Sequence, residues 1–354
     1  MGGKTLFSSL LIFILVTSLV VIFYPSPKDG NPSIGEGYLF TFAQLTDSHF
    51  SGSSSKLEGA ISWLAERGNL SFVVHTGDIV DNPLDEAAWR YAYIYMHGLD
   101  GKCVWAVLAG DNDVILSNRL YTTNFERYFG KSADQYFILG GRLLIILLGL
   151  SSLDGRISEE RLEWMDNVIE GHKDLHVVIC LHQCLFSLPI LSLTSVANAG
   201  EVFKHIEKHG NVVMTLSGHI HMSWVQIYVG GEKKIWLTSA APLEREGYVR
   251  LFDVYEDRIE VYAFSLLTGK TYNGVLDRFT IWLNSESLDE DGDFWSDGLD
   301  LMPTHPLVPN IIPLQALVAA TIITYYLKLR RRLRARNSKL KCKIQRTYRN
   351  PPMK

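Results

Sequence analysis

Short polar motifs containing aspartate and histidine follow several apolar runs of this sequence, and both residue types can bind metal ions. The motifs are Asp47-Ser48-His49, Gly77-Asp78, Gly110-Asp111-Asn112-Asp113, His182 and Gly218-His219-Ile220-His221. Mixed carboxylate and imidazole donors suit borderline divalent ions such as Mn²⁺, Fe²⁺, Co²⁺ and Zn²⁺. Two histidines one residue apart can serve two neighbouring ions, and an aspartate between the ions can bridge them. The motifs therefore predict a site for two divalent ions.

Each motif lies at the carboxyl end of a predicted strand, which is where loops converge and sites assemble in α/β proteins. Helical periodicity predicts helices at 53–67 and 85–97. The early strands alternate with helices, whereas the last four are nearly consecutive. This order is typical of an α/β sandwich of two mixed sheets with helices outside. The predicted strands are 38–45, 72–75, 103–108, 143–149, 176–181, 212–216, 225–229, 234–238, 248–254 and 259–264.

The order and spacing of the motifs resemble the calcineurin-like metallophosphoesterase superfamily, whose usual pattern is DxH, GD, GNH(D/E), H and GHxH. The segment GRISEERLEWMDNVI at 155–169 also resembles the Trp-bearing helix that precedes the lone histidine in that family. The resemblance covers residues 38–265 and implies a four-layer α/β/β/α sandwich. It also implies a metal-dependent phosphoric ester hydrolase.

The resemblance implies that the aspartates and histidines of the five motifs hold two ions. Those for the first ion are Asp47, His49 and His221, those for the second are Asp111, His182 and His219, and Asp78 bridges. Two ions about 3.5–4 Å apart can lower the pKa of a shared water and orient the phosphoryl group, so that no protein nucleophile is needed.

The third motif departs from the family pattern in two letters. Asp111 replaces an asparagine and still offers an oxygen to a metal ion. Asn112 replaces a histidine that, in the family, is thought to protonate the leaving group or contact the phosphate. An amide can donate a hydrogen bond but cannot act as an acid, and loss of a general acid lowers rates about 10²- to 10⁴-fold for poor leaving groups. We expect Asn112 and Asp113 to be the catalytic residues, with stable anions as the preferred leaving groups.

A shift of the third motif by one residue is an alternative. It would place Asn112 on the metal and Asp113 in the position of the histidine, but Gly110 would then leave its expected place. The first register predicts that Asp111→Ala loses metal and that Asn112→Ala retains it.

Two functions remain open. The first is hydrolysis of phosphate mono-, di- or pyrophosphate esters, with nucleotides and lipid-linked diphosphates as candidate substrates. The second is a catalytically weakened, metal-binding ectodomain that acts as a binding or scaffolding module. Asn112 motivates the second function, whereas retention of the other ligand positions favours the first.

Two apolar segments predict membrane spans. Residues 6–24 carry no charge and suit a signal peptide or an uncleaved signal anchor, of which we favour the anchor because no Ala-x-Ala-type cleavage site follows. Residues 311–327 are uncharged and run directly into a basic tail. Cationic side chains beside a span mark the cytoplasmic side. We therefore expect a cell-membrane protein whose catalytic domain is extracytoplasmic. Its organisation would be a transmembrane helix or signal anchor at 1–24, a linker at 25–37, the metallophosphoesterase domain at 38–283, an acidic segment at 284–306, a transmembrane helix at 307–327 and a cytoplasmic tail at 328–354.

Charge is unevenly distributed along the chain. Residues 29–305 carry 20 basic against 38 acidic groups, a net charge of −18, whereas the tail from Lys328 onward carries twelve of the 34 basic residues. A basic tail beside a span suits anionic lipid better than nucleic acid. Four cysteines without a CxxC pair argue against a disulfide scaffold or a zinc finger.

The acidic segment contains a candidate calcium loop, DEDGDFWSDGLD at 289–300. Its acids occupy loop positions 1, 3, 5, 9 and 12, as in an EF-hand, but Phe294 stands where an EF-hand has glycine. The loop therefore resembles the short calcium repeats of thrombospondin type 3 more closely. The alternative is a solvated acidic linker. The expected calcium ligands are Asp289, Asp291, Asp293, Asp297 and Asp300.

Overall fold

The structure is a computed structural model, and it describes residues 35–51, 56–116, 119–130, 134–150, 152, 155–186, 195–230, 233–272, 274 and 276–283. Both predicted membrane spans, the candidate calcium loop and the basic tail lie outside these ranges. Among the residues inside them, no helix is long and apolar enough to cross a membrane.

Strands and helices alternate over the first half of the domain, and strands dominate the second half. The strands are β1 Tyr38–Leu45, β2 Leu70–His75, β3 Val104–Val107, β4 Ile115–Leu116, β5 Arg119–Leu120, β6 Gln135–Leu139, β7 Leu143–Leu147, β8 His176–Cys180, β9 Val212–Ser217, β10 Trp224–Gly230, β11 Lys233–Ser239, β12 Tyr248–Tyr255, β13 Arg258–Ser265, β14 Lys270–Thr271 and β15 Phe279–Trp282. The α-helices are α1 Lys56–Ala65, α2 Glu86–Met96, α3 Asp111–Val114, α4 Thr123–Phe129, α5 Glu159–Glu170, α6 Ala199–Ile206 and α7 Leu243–Glu246, and a 3-10 turn at His97–Leu99 follows α2.

Two mixed sheets face each other, as predicted. Over the described ranges, the first sheet has the order β14-β13-β12-β1-β2-β3, with β15 also paired to β13, and the second has the order β10-β11-β9-β8-β7-β6. Strands β1, β2 and β3 run parallel to one another, and so do β7, β8, β9 and β11. Of the four nearly consecutive late strands, β10 and β11 complete the second sheet and β12 and β13 complete the first.

Apolar side chains fill the space between the sheets and beneath the helices. The rings of Phe42 and Phe252 stack between the sheets, with centroids 4.3 Å apart, because β1 and β12 pair there in register. Helix α1 buries residues at helical spacing, Leu57 and Ile61 among them, against the outer face of the first sheet. Helices α5 and α6 cover the second sheet in the same way. The layers therefore follow the order α/β/β/α.

The order of parallel strands determines where the predicted motifs meet. Backbone bonds continue past the ends of β1 and β2, from Asp47 N–H to Gly77 O and from His49 N–H to Asp78 O, both at 3.0 Å. In the second sheet, Gly218 N–H donates to His182 O at 3.0 Å. The carboxyl ends of both sheets thus bring all five motifs to one edge of the sandwich.

Candidate metal centre

A first group of potential ligands lies at the ends of β1, β2 and β9. It comprises Asp47, His49, Asp78 and His221, whose candidate ligand atoms all lie within 4.8 Å of one another. His221 Nε2 is 3.2 Å from Asp47 Oδ1 and 3.0 Å from His49 Nε2. Imidazole nitrogens this close to each other and to a carboxylate fit the coordination shell of one ion.

A second group shares Asp78 with the first. It comprises Asp78, Asp111, His182 and His219, again within 4.8 Å of one another. Oδ1 of Asp111 lies 2.9 Å from both His182 Nε2 and His219 Nδ1. The two oxygens of Asp78 face different groups, since Oδ1 is 3.3 Å from His182 Nε2 and Oδ2 is 3.7 Å from His49 Nε2. The structure thus brings together the seven residues predicted as metal ligands, in two groups that share one carboxylate.

Backbone conformation distinguishes five of these seven residues. Within the described part of the chain, the non-glycine residues with positive φ are Asp47 at 49°, His49 at 40°, Asp78 at 53°, His219 at 66° and His221 at 52°. Aspartate and histidine tolerate this left-handed region better than most residues, although it remains unfavourable. The chain therefore turns sharply at these ligands, and each turn directs a side chain toward the shared centre.

Two motif positions require glycine because side-chain atoms of other residues lie close to their Cα atoms. A Cβ at position 110 would collide with the Oδ1 atom of Asp78, and a Cβ at position 218 would collide with the hydroxyl of Thr46 and the Oδ2 atom of Asp47. The glycine letters of the third and fifth motifs therefore have a steric cause, since ligand side chains occupy the space that a methyl group would need.

The electrostatics of the centre favour added positive charge. Burial would lower the pKa of His182, but the carboxylates of Asp78 and Asp111 raise it well above its usual value. Burial would raise the pKa of Asp111, but hydrogen bonds with His182 and His219 lower it strongly. Without metal, the protonated imidazole of His182 thus compensates the carboxylates of Asp78 and Asp111, and a divalent ion would fit by replacing its proton.

A second layer of contacts orients the imidazole of His182. Its Nδ1 lies 2.8 Å from the carbonyl oxygen of Thr76. This bond places the proton on Nδ1 and leaves Nε2 to face Asp78 and Asp111, which is the orientation that metal-binding histidines usually have. The donor set and its orientation therefore both fit a pair of divalent ions.

Asp113, expected to be catalytic, lies beneath the centre. Its carboxylate is fully buried and accepts backbone N–H groups of Ile79, Val80 and Gly110 at 2.9–3.0 Å. Burial, reinforced by the charge of Asp78, raises the pKa of Asp113 to about 7. With its oxygens committed to these donors, Asp113 fits a positioning role for the Asp78 loop rather than a role in contact with substrate.

Asn112 lies beside the shared carboxylate. Its side-chain Nδ2 donates to Oδ2 of Asp78 at 2.7 Å, and its backbone N–H donates to Oδ1 at 2.9 Å. The carboxylate of Asp111, by contrast, contacts the imidazoles of His182 and His219. This arrangement favours the register in which Asp111 binds metal and Asn112 occupies the position of the family histidine.

His75 contributes to the centre in a way that its sequence context did not indicate. It ends an apolar strand, which suggests a core residue, and it is indeed fully buried. Its ring, however, bonds to Ser48, between Asp47 and His49. Burial lowers the pKa of His75 to about 3, so the imidazole is neutral. The only sequence signal was the position of His75, two residues before the Gly77-Asp78 motif.

A layered α/β sandwich with two adjoining Asp/His groups at the strand ends is the arrangement of a dinuclear metallophosphoesterase. Comparison with family models agrees, since the Calcineurin-like phosphoesterase model matches residues 40–223. The chain belongs to this family, which confirms the resemblance that its motifs indicate.

Curated relatives include one protein named as uncharacterised and two named as phosphodiesterases. The chain is 28% identical over 260 residues to "Uncharacterized protein YvnB" of Bacillus subtilis, and the alignment covers 64% of this chain but only 20% of that protein. It is 27% identical over 195 residues to the 3',5'-cyclic adenosine monophosphate phosphodiesterase CpdA of Escherichia coli, covering 50% of this chain and 68% of that enzyme. A cyclic-nucleotide phosphodiesterase of Nostoc is 26% identical over 205 residues, covering 52% of this chain and 72% of that enzyme.

Solved structures share the fold. A dimetal phosphatase from Danio rerio superimposes with a TM-score of 0.54 at 16% identity, covering 70% of this chain and all of that one. The purple acid phosphatase PPD1 of yellow lupin superimposes with a TM-score of 0.53 at 12% identity, covering 69% of this chain and 53% of that one. At such low identity these similarities establish the architecture alone.

Proposed function

We propose that this chain hydrolyses phosphoesters with the help of two divalent ions, Mn²⁺, Fe²⁺, Co²⁺ or Zn²⁺. The observation that carries the proposal is the position of Asp78, whose two oxygens face two separate groups of imidazole and carboxylate donors. When bound, such a pair of ions would lower the pKa of a shared water and neutralise charge on the phosphoryl group. Asp47, His49 and His221 would hold the first ion, and Asp111, His182 and His219 the second.

The roles of the neighbouring residues follow from their contacts. Asp78 would bridge the ions, and the backbone N–H of Asn112 would keep its Oδ1 in place. The amide of Asn112 would donate a hydrogen bond toward the ester or the bridging carboxylate, but it cannot deliver a proton. Asp113 would hold the Asp78 loop by accepting the N–H groups of Ile79 and Val80.

The substrate class that we propose follows from this missing acid. An ester whose leaving group is already a stable anion, such as the phosphate of a diphosphate or an acidic phenol, needs little protonation in the transition state. Nucleotide and lipid-linked diphosphates satisfy this condition. We therefore place them ahead of simple alkyl esters as substrates for this chain.

Cyclic nucleotides are a second candidate substrate class. They are supported by the similarity to the Escherichia coli and Nostoc phosphodiesterases. Their leaving group is a sugar alkoxide, which benefits from a general acid. If cyclic nucleotides are the substrates, the hydrogen bond from Asn112 and the metal ions must together compensate for the absent acid.

The membrane arrangement is part of the proposal. Its support is the sequence alone, namely uncharged segments at 6–24 and 311–327 and the basic tail after the second. Labelling of Cys342 in the tail with a membrane-impermeant maleimide tests this topology in a Cys103→Ser variant, because Cys103 is only partly buried whereas the other described cysteines, Cys180 and Cys184, are buried. We expect labelling only after cells are permeabilised, and labelling of intact cells would contradict a cytoplasmic tail.

We also propose that the acidic loop at 289–300 binds calcium. The support is the spacing of its five aspartates. Calcium would then stiffen the joint between the domain and the second span. Limited proteolysis with Ca²⁺ or with chelator tests this, since equal cleavage of the segment under both conditions would contradict calcium binding.

A substrate panel tests the proposed activity. The full chain in detergent is assayed with bis(p-nitrophenyl) phosphate, p-nitrophenyl phosphate, cyclic AMP and a nucleotide sugar, each with Mn²⁺, Co²⁺, Zn²⁺ or Mg²⁺. We expect turnover that depends on metal and is lost in His182→Ala. Metal binding without turnover of any ester would favour the scaffolding function instead.

A further inference from the structure

A chain of hydrogen bonds runs beneath the candidate metal centre and connects the first two motifs. Gly77 N–H donates to His75 Nδ1 at 3.3 Å, and His75 Nε2 lies 3.0 Å from Ser48 Oγ. The hydroxyl of Ser48 then donates to the carbonyl oxygen of Ile79 at 2.9 Å. Because Nδ1 accepts from Gly77, the ring proton is on Nε2 and donates to Ser48. All four groups therefore form one directional chain.

The end points of this chain lie beside the ligands. Gly77 and Ile79 flank Asp78, the carboxylate shared by both groups, whereas Ser48 lies between Asp47 and His49. These hydrogen bonds thus hold the backbone on both sides of Asp78 and fix its position relative to Asp47 and His49.

The three ligands fixed in this way have unfavourable backbone conformations. Asp47, His49 and Asp78 all have positive φ. Such conformations persist only where surrounding contacts impose them. Ser48 and His75 are buried, with Ser48 3% and His75 0% exposed, so water cannot replace the hydrogen bonds that they make.

We propose that His75, acting through Ser48, is a positioning residue that sets the distance between the first-ion ligands and the shared carboxylate of Asp78. This inference rests on the proposed two-ion function. Breaking this chain of hydrogen bonds weakens binding of the first ion more than binding of the second. The reason is that Asp47, His49 and Asp78 all belong to the first group, whereas only Asp78 belongs to the second. Partners of this kind in metal sites typically contribute about 10- to 100-fold in metal affinity.

The test is titration of the full, metal-depleted chain with Mn²⁺ by calorimetry, together with the metal content per chain. Ser48→Ala removes one hydroxyl from the chain of bonds and His75→Phe removes both ring contacts. We expect each variant to bind one of its two Mn²⁺ ions about 10- to 100-fold less tightly than the unaltered protein does. kcat should fall while KM changes little, because the ligands and not the substrate contacts are displaced.

Rescue and control variants separate positioning from general stability. The Nε2 amide of His75→Gln can donate to Ser48, so this variant should recover most of the Mn²⁺ affinity lost in His75→Phe. The control is His205→Gln, because His205 is another buried histidine and its polar partners are Asp166, Lys208 and Glu159 rather than motif residues. The melting temperature of His205→Gln should fall by about as much as that of His75→Phe, while its Mn²⁺ affinity should stay unchanged.

The outcomes distinguish this inference from the proposed function. If Ser48→Ala and His75→Phe bind two Mn²⁺ ions as tightly as the unaltered protein does, the positioning role is wrong and the proposed function stands. If the unaltered protein binds no Mn²⁺, Co²⁺ or Zn²⁺, both are wrong. If His75→Phe does not fold, Ser48→Ala alone decides, because it removes only one buried oxygen.

Discussion

The side-chain amide of Asn112 donates to the carboxylate of Asp78, with 2.7 Å between Nδ2 and Oδ2. The residue that replaces the family histidine thus contacts the ligand shared by both groups. A histidine at position 112 would present an acidic N–H in the same region. This contact makes the chemistry of position 112 directly testable.

Asn112→His should increase kcat for esters with alkoxide leaving groups by about 10²-fold, because it supplies a general acid. It should change turnover of p-nitrophenyl esters by much less, since that leaving group needs little protonation. The measurement is the ratio of the two kcat values in the variant and in the unaltered protein. An equal increase for both substrates would contradict an acid role for this position.

Asp111→Ala should lose the second ion, whereas Asn112→Ala should retain both. The reason is that Oδ1 of Asp111 lies 2.9 Å from both His182 Nε2 and His219 Nδ1. Elemental analysis of the two purified variants measures this. The reverse result would support the register in which Asn112 is the ligand.

Asp113→Asn should destabilise the domain by about 2–4 kcal/mol, because an amide offers one acceptor oxygen to three backbone donors and turns its own N–H₂ toward them. Chemical denaturation of the metal-free variant measures the loss of unfolding free energy. Asp81→Asn is the matched control, since Asp81 lies near His49 with a largely exposed side chain. Equal stability of the two variants would contradict a positioning role for Asp113.

Gly110→Ala should abolish or strongly weaken metal binding, because the added methyl group would collide with Oδ1 of Asp78. Gly59→Ala is the control. No atom lies within 4 Å of its added methyl group, and its position inside α1 favours alanine by about 0.5–1 kcal/mol. Mn²⁺ titration and melting temperature are compared for the two variants. Normal Mn²⁺ affinity in Gly110→Ala would show that the loop can move away.

Asp166 connects α5 to the end of α6 and should make stability depend on pH. Burial would raise its pKa, but hydrogen bonds from Lys208, His209 and His205 lower it. A folded-state pKa below the unfolded one stabilises the fold above pH about 4, and this contribution disappears as the pH falls through the folded value.

Asp166→Asn should therefore lower the melting temperature at pH 7 by about 2–4 °C, equivalent to about 1 kcal/mol. The difference from the unaltered protein should shrink below pH about 4. Glu163→Gln on the same helix controls for loss of one negative charge. A difference that stays constant from pH 7 to pH 3 would contradict this assignment.

Much of the fold could be predicted because the strands that carry the motifs are buried and strongly apolar. Predicted ends of β1, β8 and β12 agree with the structure to within about one residue. The edge strand β6 was not predicted, because Tyr136 and Ile138 are about half exposed although most of the strand's residues are apolar, so it lacks the alternation of apolar and polar residues that marks a half-buried strand. Helix α6 was not predicted, because it is only eight residues long and has a glycine, Gly200, in its first turn.

The ligand positions could be predicted because the residue types in the motifs determine directly which donor atoms are present. The roles of Asp113 and His75 could not, since they depend on which backbone groups lie nearby. Asp113 accepts from residues about 30 positions earlier, and His75 bonds to Ser48 on a neighbouring strand end. Such contacts exist only after β1, β2 and β3 have aligned.

The positive φ angles at five ligand residues limit how this site can diverge. A position that must remain left-handed accepts glycine, asparagine, aspartate or histidine far more readily than valine, isoleucine or threonine. Glycine brings no ligand atom, so the backbone restricts the choice at these positions to the few side chains that bind metal. A lineage that gave up catalysis would therefore be expected to replace these ligands with glycine or asparagine first, because the turns disfavour β-branched side chains whether or not metal is bound.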